Sequence, residues 1–181
     1  MRKRRFYQPD EGVEWLKSIL IAFLIAFFIK TFIFNSTYVI GHSMAPTLYP
    51  KDRLFAQKIG LYLNKTSRGD IVVLKAPDEE GKDYIKRVIG LEGDLVEIKD
   101  GQVYVNGNLL VENYIEEGSY THTYGIDQWL VPEGEVFVLG DNRAEGASKD
   151  SRVFGTVSLK NLKGITGFRY YPFNNRFGKL D

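Results

Sequence analysis

Residues 95–107 read LVEIKDGQVYVNG. Leu95–Ile98 and Val103–Val105 are short runs of β-formers, and they stop at Asp100-Gly101 and Asn106-Gly107. Asp-Gly and Asn-Gly supply the positive backbone φ angles of tight hairpin turns, so the stretch predicts consecutive antiparallel strands. The same pattern runs outward in both directions. Upstream, strands are expected at Thr37–Ile40, Arg53–Ala56, Asp70–Leu74 and Tyr84–Ile89, the last ending at Gly90. Downstream they are expected at Glu135–Leu139, Val153–Leu159 and Ile165–Tyr170. Polar or Gly-rich loops fall at 78–82, 112–128 and 143–149. No part of this body keeps a helical period. The expected fold is mostly β and antiparallel, either barrel-like or a pair of packed sheets.

Ahead of this body the chain changes character. Ser18–Phe34 reads SILIAFLIAFFIKTFIF, and Lys30 is its only charge. With Val13, Trp15 and Leu16 the run reaches about 20 residues, which as a helix spans roughly 30 Å, the thickness of a bilayer's hydrocarbon core. It is apolar on every face, whereas a core helix carries a stripe. The following KTFIFNSTYV is too bulky for a leader-cleavage site. A retained transmembrane signal anchor is therefore expected over 13–34. Arg2, Lys3, Arg4 and Arg5 lie in the tail before it, 1–12, and positive-inside bias places that tail in the cytoplasm and residues 35–181 outside.

Composition narrows the chemistry. The chain has 181 residues and an apolar fraction of 44%, which suits one ordered domain. It has no cysteine, which excludes a thiolate nucleophile, a disulfide and Cys-ligated zinc. Only His42 and His122 are present, too few for a histidine-rich metal site, though enough for a Ser-His pair. Without the four N-terminal cations, 20 basic residues face 23 acidic ones. That balance lacks the basic stripe of a nucleic-acid binder.

Three segments carry candidate chemistry. In Gly41-His42-Ser43-Met44-Ala45-Pro46-Thr47-Leu48 a serine sits on a turn restricted by Gly41 and Pro46. In Tyr84-Ile85-Lys86-Arg87-Val88-Ile89-Gly90, strand alternation puts Lys86 on one face with Tyr84 and Val88. Burial there would depress its pKa and make it a usable base, whereas an escaping flexible stem would leave it an ordinary lysine. Gly140-Asp141-Asn142-Arg143 and Ser148-Lys149-Asp150-Ser151-Arg152 offer Asp-Arg pairs that can brace a site. Their acidic spacing lacks the order of a calcium loop. Phe168, Tyr170, Tyr171, Phe173 and Phe177 crowd the C-terminus, either as core or as an interfacial patch near a bilayer.

These segments resemble the type I signal peptidases, the bacterial Ser-Lys leader peptidases. GHSMAPTL (41–48) is similar to that family's nucleophile box, and GDIVVLKAP (69–77) to the strand after it. DYIKRVIGLEGD (83–94) is similar to its base-bearing box. VLGDNR (138–143) and SKDSRVFG (148–155) are similar to the halves of its closing box. The resemblance implies a membrane-bound serine endopeptidase, without cofactor or metal, that removes signal peptides from exported preproteins through an acyl-enzyme. It implies Ser43 as nucleophile, Lys86 as general base, and the Ser148 hydroxyl as the group that orients the lysine. The Ser43 backbone N–H would be an oxyanion donor. Gly41, Met44, Pro46, Arg87, Asp141, Asn142, Arg143, Asp150, Ser151 and Arg152 would be structural around the site.

Substrates would be extended, with small residues at the first and third positions before the cut. The implied setting is single-pass in a bacterial cell membrane, near the protein export channel, with the lipid bilayer as partner and no nucleic acid. The short chain resembles the compact Gram-positive-type members. Gly41 stands where some members carry a hydroxyl, and four residues, Ala144–Ala147, separate the closing box's halves where two are usual. Glu92 stands where the base box usually has Pro. Three other readings stand beside it: a Ser-His mechanism resting on His42 or His122, a tethered β-domain that binds peptides in the same cleft and needs neither Ser43 nor Lys86, and a self-cleaving regulatory protease with the same Ser-Lys chemistry.

Overall fold

A computed structural model describes residues 11–30, 34–63 and 66–180. The first element is helix α1, Glu11–Phe28, in which no residue is buried. Trp15, Leu16, Ile19, Phe23 and Phe27 all lie open. Among the described residues no helix is long and apolar enough to cross a membrane. The 18 residues of α1 include Glu11, Glu14 and Lys17, so their apolar part is shorter than the helix. The expected anchor also runs through residues 31–33, and the basic tail through 1–10, and these lie outside the described residues.

The body is built of β1 (Phe34–Tyr38), β2 (Arg53–Gln57), β3 (Ile71–Lys75), β4 (Asp83–Gly90), β5 (Leu95–Lys99) and β6 (Gln102–Val105). It continues with β7 (Asn108–Leu109), β8 (Gln128–Leu130), β9 (Glu135–Leu139), β10 (Val157–Ser158), β11 (Leu162–Tyr171) and β12 (Gly178–Lys179). Among the described residues they form two sheets. The larger runs β1-β2-β11-β3-β4-β9-β10 with β12 on β11, and the smaller runs β7-β6-β5-β8. The pairings are antiparallel, as the hairpin signals predict. Neither sheet closes, which corrects the barrel-like alternative. The larger sheet ends on one side in β10, a strand of only two residues, too short a ladder to carry closure.

The two sheets share a core because β9 is buried on both faces. Val136 and Val138 pack with Val72, Leu74 and Val88. Phe137 and Leu139 pack with Ile89 and with Val96, Ile98, Val103 and Val105 of the smaller sheet. A third cluster, Val39, Met44, Leu48, Leu54 and Ile71, lies under the turn after β1.

Local chemistry overrode strand propensity in one place. Of the strand expected over Val153–Leu159 only Val157–Ser158 form one, β10, whereas Ser151–Phe154 form one helical turn, α3. The Asp150 side chain caps it by accepting from the Arg152 N–H, and Gly155 at φ 79° ends it. A second short helix, α2 (Ile59–Tyr62), has no counterpart in the strand pattern. Strand β8 begins inside the expected 112–128 loop, where Trp129 gains a tilted ring contact with Phe137 at 4.9 Å.

Candidate active site

The ends of the serine turn are tied together before the turn itself is shaped. The Val39 N–H donates to the Asp52 carbonyl at 2.9 Å, and the Lys51 N–H to the Val39 carbonyl at 2.8 Å. Inside the turn, the Ala45 N–H donates to the His42 carbonyl (3.1 Å) and the Leu48 N–H to the Met44 carbonyl (2.8 Å). Met44 and Leu48 are driven into the third cluster. Their burial after Ser43, and that of Val39 before it, fixes the backbone on either side of Ser43, whose own side chain stays only half-buried. Pro46 and Gly41 are exposed, and nothing lies within 4 Å of where a Gly41 Cβ would stand.

Lys86 reaches this turn from the middle of β4. It lies opposite Val72 in the register with β3, and only 2% of it is exposed. Its Nζ stands 2.8 Å from Ser43 Oγ. The Tyr84 ring, on the same strand face, has its centroid 5.3 Å from that nitrogen. Burial pulls the lysine down from 10.5 to about 8, against the opposing pull of Asp150 and Asp141. Among the described residues no carboxylate forms an ion pair with it. The neutral amine is therefore well populated near pH 8, within proton-transfer reach of a hydroxyl.

The Asp-Arg segments brace the pair. Asp141 accepts from Arg87 Nε at 2.9 Å and Nη2 at 2.8 Å, and from Thr47 Oγ1 at 2.6 Å. The Asn142 N–H donates to the Ser43 carbonyl and its Nδ2 to the His42 carbonyl, each at 3.1 Å. Arg143 Nε donates to the Gly140 carbonyl at 2.9 Å, while Nη1 meets Glu112 and Thr121, both at 2.9 Å. Asp150 accepts from the Gly140 N–H at 3.0 Å and from both forks of Arg152, at 2.8 and 2.7 Å. Ser151 Oγ accepts from the Val138 N–H at 2.9 Å. Such bidentate, fully partnered charges hold fixed geometry better than single contacts do.

Ser148 lies behind Gly140, buried, and its Oγ has no hydrogen-bond partner among the described residues. A Cβ on Gly140 would overlap both Ser148 Oγ and the Ser43 carbonyl oxygen. His42 is exposed, and the His122 ring packs on Tyr120 at 4.7 Å, so neither histidine hydrogen-bonds Ser43. Sequence reasoning missed Thr47, Glu112 and Thr121. Thr47 sat inside a quoted motif without a role. Glu112 and Thr121 come from a polar loop whose partner, Arg143, is more than 20 residues away, and no local pattern reports such a pairing.

The site opens on a groove of about 660 Å³. Residues 37–41 and 83–86, the latter including Lys86, line it together with Ser43. β4 pairs with β9 only through Arg87, Val88 and Gly90. Its Asp83–Lys86 half is therefore held by β3 on one side and open on the other among the described residues. The site thus sets a serine hydroxyl beside a buried amine without an ion pair, next to an open strand edge.

The chain belongs to the signal peptidase S26 family, whose model, described as signal peptidase, peptidase S26, matches residues 12–171. It is 40% identical to signal peptidase I S of Bacillus subtilis strain 168, covering 96% of this chain and 97% of that protein. Identity to signal peptidase I of Bacillus licheniformis is also 40%, over 89% of each chain. Signal peptidase IB of Staphylococcus aureus strain Mu50 is 37% identical, over 91% of this chain and 92% of that one. A crystal structure of a signal peptidase I from Enterococcus faecalis V583 matches with a TM-score of 0.48 at 36% identity, over 56% of this chain and 96% of that chain. The protein is thus a serine endopeptidase that removes signal peptides from secretory preproteins.

Proposed function

We propose that Ser43 is the nucleophile and Lys86 its general base. The observation that carries this is the 2.8 Å approach of Nζ to Oγ at a lysine held near 8 by burial. Neutral Lys86 accepts the hydroxyl proton as Oγ adds to the scissile carbonyl. The Ser43 N–H, which donates to no acceptor among the described residues, meets the developing oxyanion. Gly41 adds no side-chain donor there. The Lys86 ammonium then passes its proton to the leaving amine of the mature protein. The neutral amine next activates the water that breaks the acyl-enzyme. Ser148 is the candidate second hydroxyl: its unpartnered Oγ is available to orient the lysine.

The signal peptide lies extended along the groove and pairs with the open edge at Asp83–Lys86, with small side chains at the first and third positions before the cut. The 13–34 segment anchors the chain in the bilayer with residues 35–181 extracytoplasmic, close to the export channel. The unburied apolar surface of α1 supports the anchor.

Two experiments test these readings. Cleavage of a synthetic preprotein peptide by the full chain in detergent, with the cut mapped by mass spectrometry, is expected to vanish in Ser43→Ala and in Lys86→Ala. Activity retained in Ser43→Ala would favour the non-catalytic peptide-binding alternative. The absence of cysteine allows single introduced cysteines to be labelled from either side of the membrane. Labelling of a body site only from the cytoplasmic side would reverse the topology.

A further inference from the structure

Asp52 is wholly buried, and two guanidiniums converge on it, from β11 and from the segment between β11 and β12. Arg169 Nη1 is 3.2 Å from Asp52 Oδ2, and Arg176 Nη1 is 3.1 Å from the same oxygen. The Tyr49 N–H completes the site on Oδ2 at 3.0 Å. Arg169 Nη1 also donates to the Thr47 carbonyl at 2.9 Å, and Arg169 Nε donates to the Arg176 carbonyl. Arg176 lies over the Tyr49 ring, 5.0 Å from its centroid. All of these contacts except the one between Arg169 and Arg176 end on the serine turn or on the strand entry that closes it.

The turn is therefore held on both sides of Ser43. Asn142 grips the carbonyls of His42 and Ser43, and the Asp52–Arg169–Arg176 group grips Thr47 and Tyr49. Thr47 links the two grips, because its hydroxyl donates to Asp141 while its carbonyl is held by Arg169. The family model stops at residue 171, so Arg176 and the tail that carries it lie beyond the matched region.

We propose that Asp52, Arg169 and Arg176 form a C-terminal latch that positions Ser43 against Lys86. The three are positioning residues; none touches the reacting atoms. The proposal rests on Ser43 being the nucleophile. A buried carboxylate shared by two cations costs too much desolvation to hold a surface tail in place for its own sake. What it gains is a fixed turn, and a nucleophile displaced by part of an ångström loses reactivity far faster than the fold loses stability.

Arg176 is the residue to change, because its side chain is one-third exposed and its loss leaves Asp52 paired with Arg169. In the full chain in detergent, Arg176→Ala is expected to lower kcat roughly tenfold with KM within about twofold. Arg176→Lys should recover most of that loss. Hydrogen exchange at the Leu48 and Tyr49 amides should quicken in Arg176→Ala, with the unfolding midpoint little changed. Asp52→Asn, which keeps shape and removes charge, should act in the same direction. An unchanged kcat would overturn the latch. So would a loss confined to KM, or one that equals the unfolded fraction of the sample. Ser43→Ala run alongside separates the cases: if that variant cleaves, the nucleophile assignment fails, whatever Arg176→Ala does.

Discussion

Lys86 and Arg87, neighbours on β4, are both buried, yet only Arg87 forms a carboxylate ion pair, the bidentate one with Asp141. Strand alternation sends the two side chains to opposite faces of one sheet. The guanidinium cannot lose its proton inside a protein, so its burial requires a partner. The amine can, and burial without an ion pair pushes it toward the neutral form that proton abstraction needs.

The pH dependence of kcat/KM should follow Lys86. Activity is expected to rise with pH through a limb near 8 and then level off, because the deprotonated amine is the active form. A profile recorded on the solubilised full chain checks this. A limb that appears only above pH 10 would show the lysine to be unperturbed.

Stability should carry the same signature. Below pH 8 the folded and unfolded chains both hold the Lys86 proton. Between about 8 and 10.5 the folded chain has released it and the unfolded chain has not, so stability rises with pH across that window. Lys86→Met lacks the rise and should be more stable at neutral pH, by on the order of 3 kcal/mol. Chemical unfolding of both proteins at pH 7 and pH 10 measures the difference, in which the other titrating groups cancel.

Asp141→Ala leaves the Arg87 guanidinium buried without its carboxylate and removes the Thr47 acceptor. Breaking one side of such a pair costs about 3–5 kcal/mol. A fall of that size in unfolding free energy, together with loss of cleavage, is the expected result. Asp141→Asn, which keeps one acceptor oxygen, should fall between that variant and the parent.

Gly140→Ala tests the closeness of two chain segments. Its new methyl would meet the Ser43 carbonyl and Ser148 Oγ, and the first of these is backbone that cannot turn aside. Cleavage is expected to drop by about a hundredfold or more through displacement of the nucleophile. Adding Ser148→Ala should not restore cleavage, because the contacts with the Ser43 carbonyl and the Ser148 Cβ remain and the candidate orienting hydroxyl is gone. Cleavage by Gly140→Ala equal to the parent's would show that the two segments part without displacing Ser43.

His122→Ala should keep most of its activity, since the ring packs on Tyr120 and only the backbone carbonyl braces Arg152. Abolished cleavage with the fold intact would restore the Ser-His reading.

Much of this protein is legible in its sequence. Period-2 alternation and the Asp-Gly and Asn-Gly turns placed β5 and β6, and the same rules placed β3, β4 and β9, because those signals are local to a few residues. The face shared by Tyr84, Lys86 and Val88 followed from alternation alone. The pattern reads Val153 and Phe154 as the start of a strand because both favour β, while the deciding event is the Asp150 side chain accepting from the Arg152 N–H two residues on.

What the residues determined by themselves was most of the longer strands, the antiparallel class and the motifs that carry the serine, the lysine and the Asp and Arg residues around them, all of them written in short-range spacing. Which lysine loses its solvent, which cation keeps a carboxylate, whether the sheets close, and how the tail reaches the serine turn were decided by packing. Those outcomes depend on contacts between segments tens to more than a hundred residues apart, such as Ser43 with Lys86 and Asp52 with Arg176. No window of sequence contains both partners, and only the folded chain brings their desolvation and charge to one place.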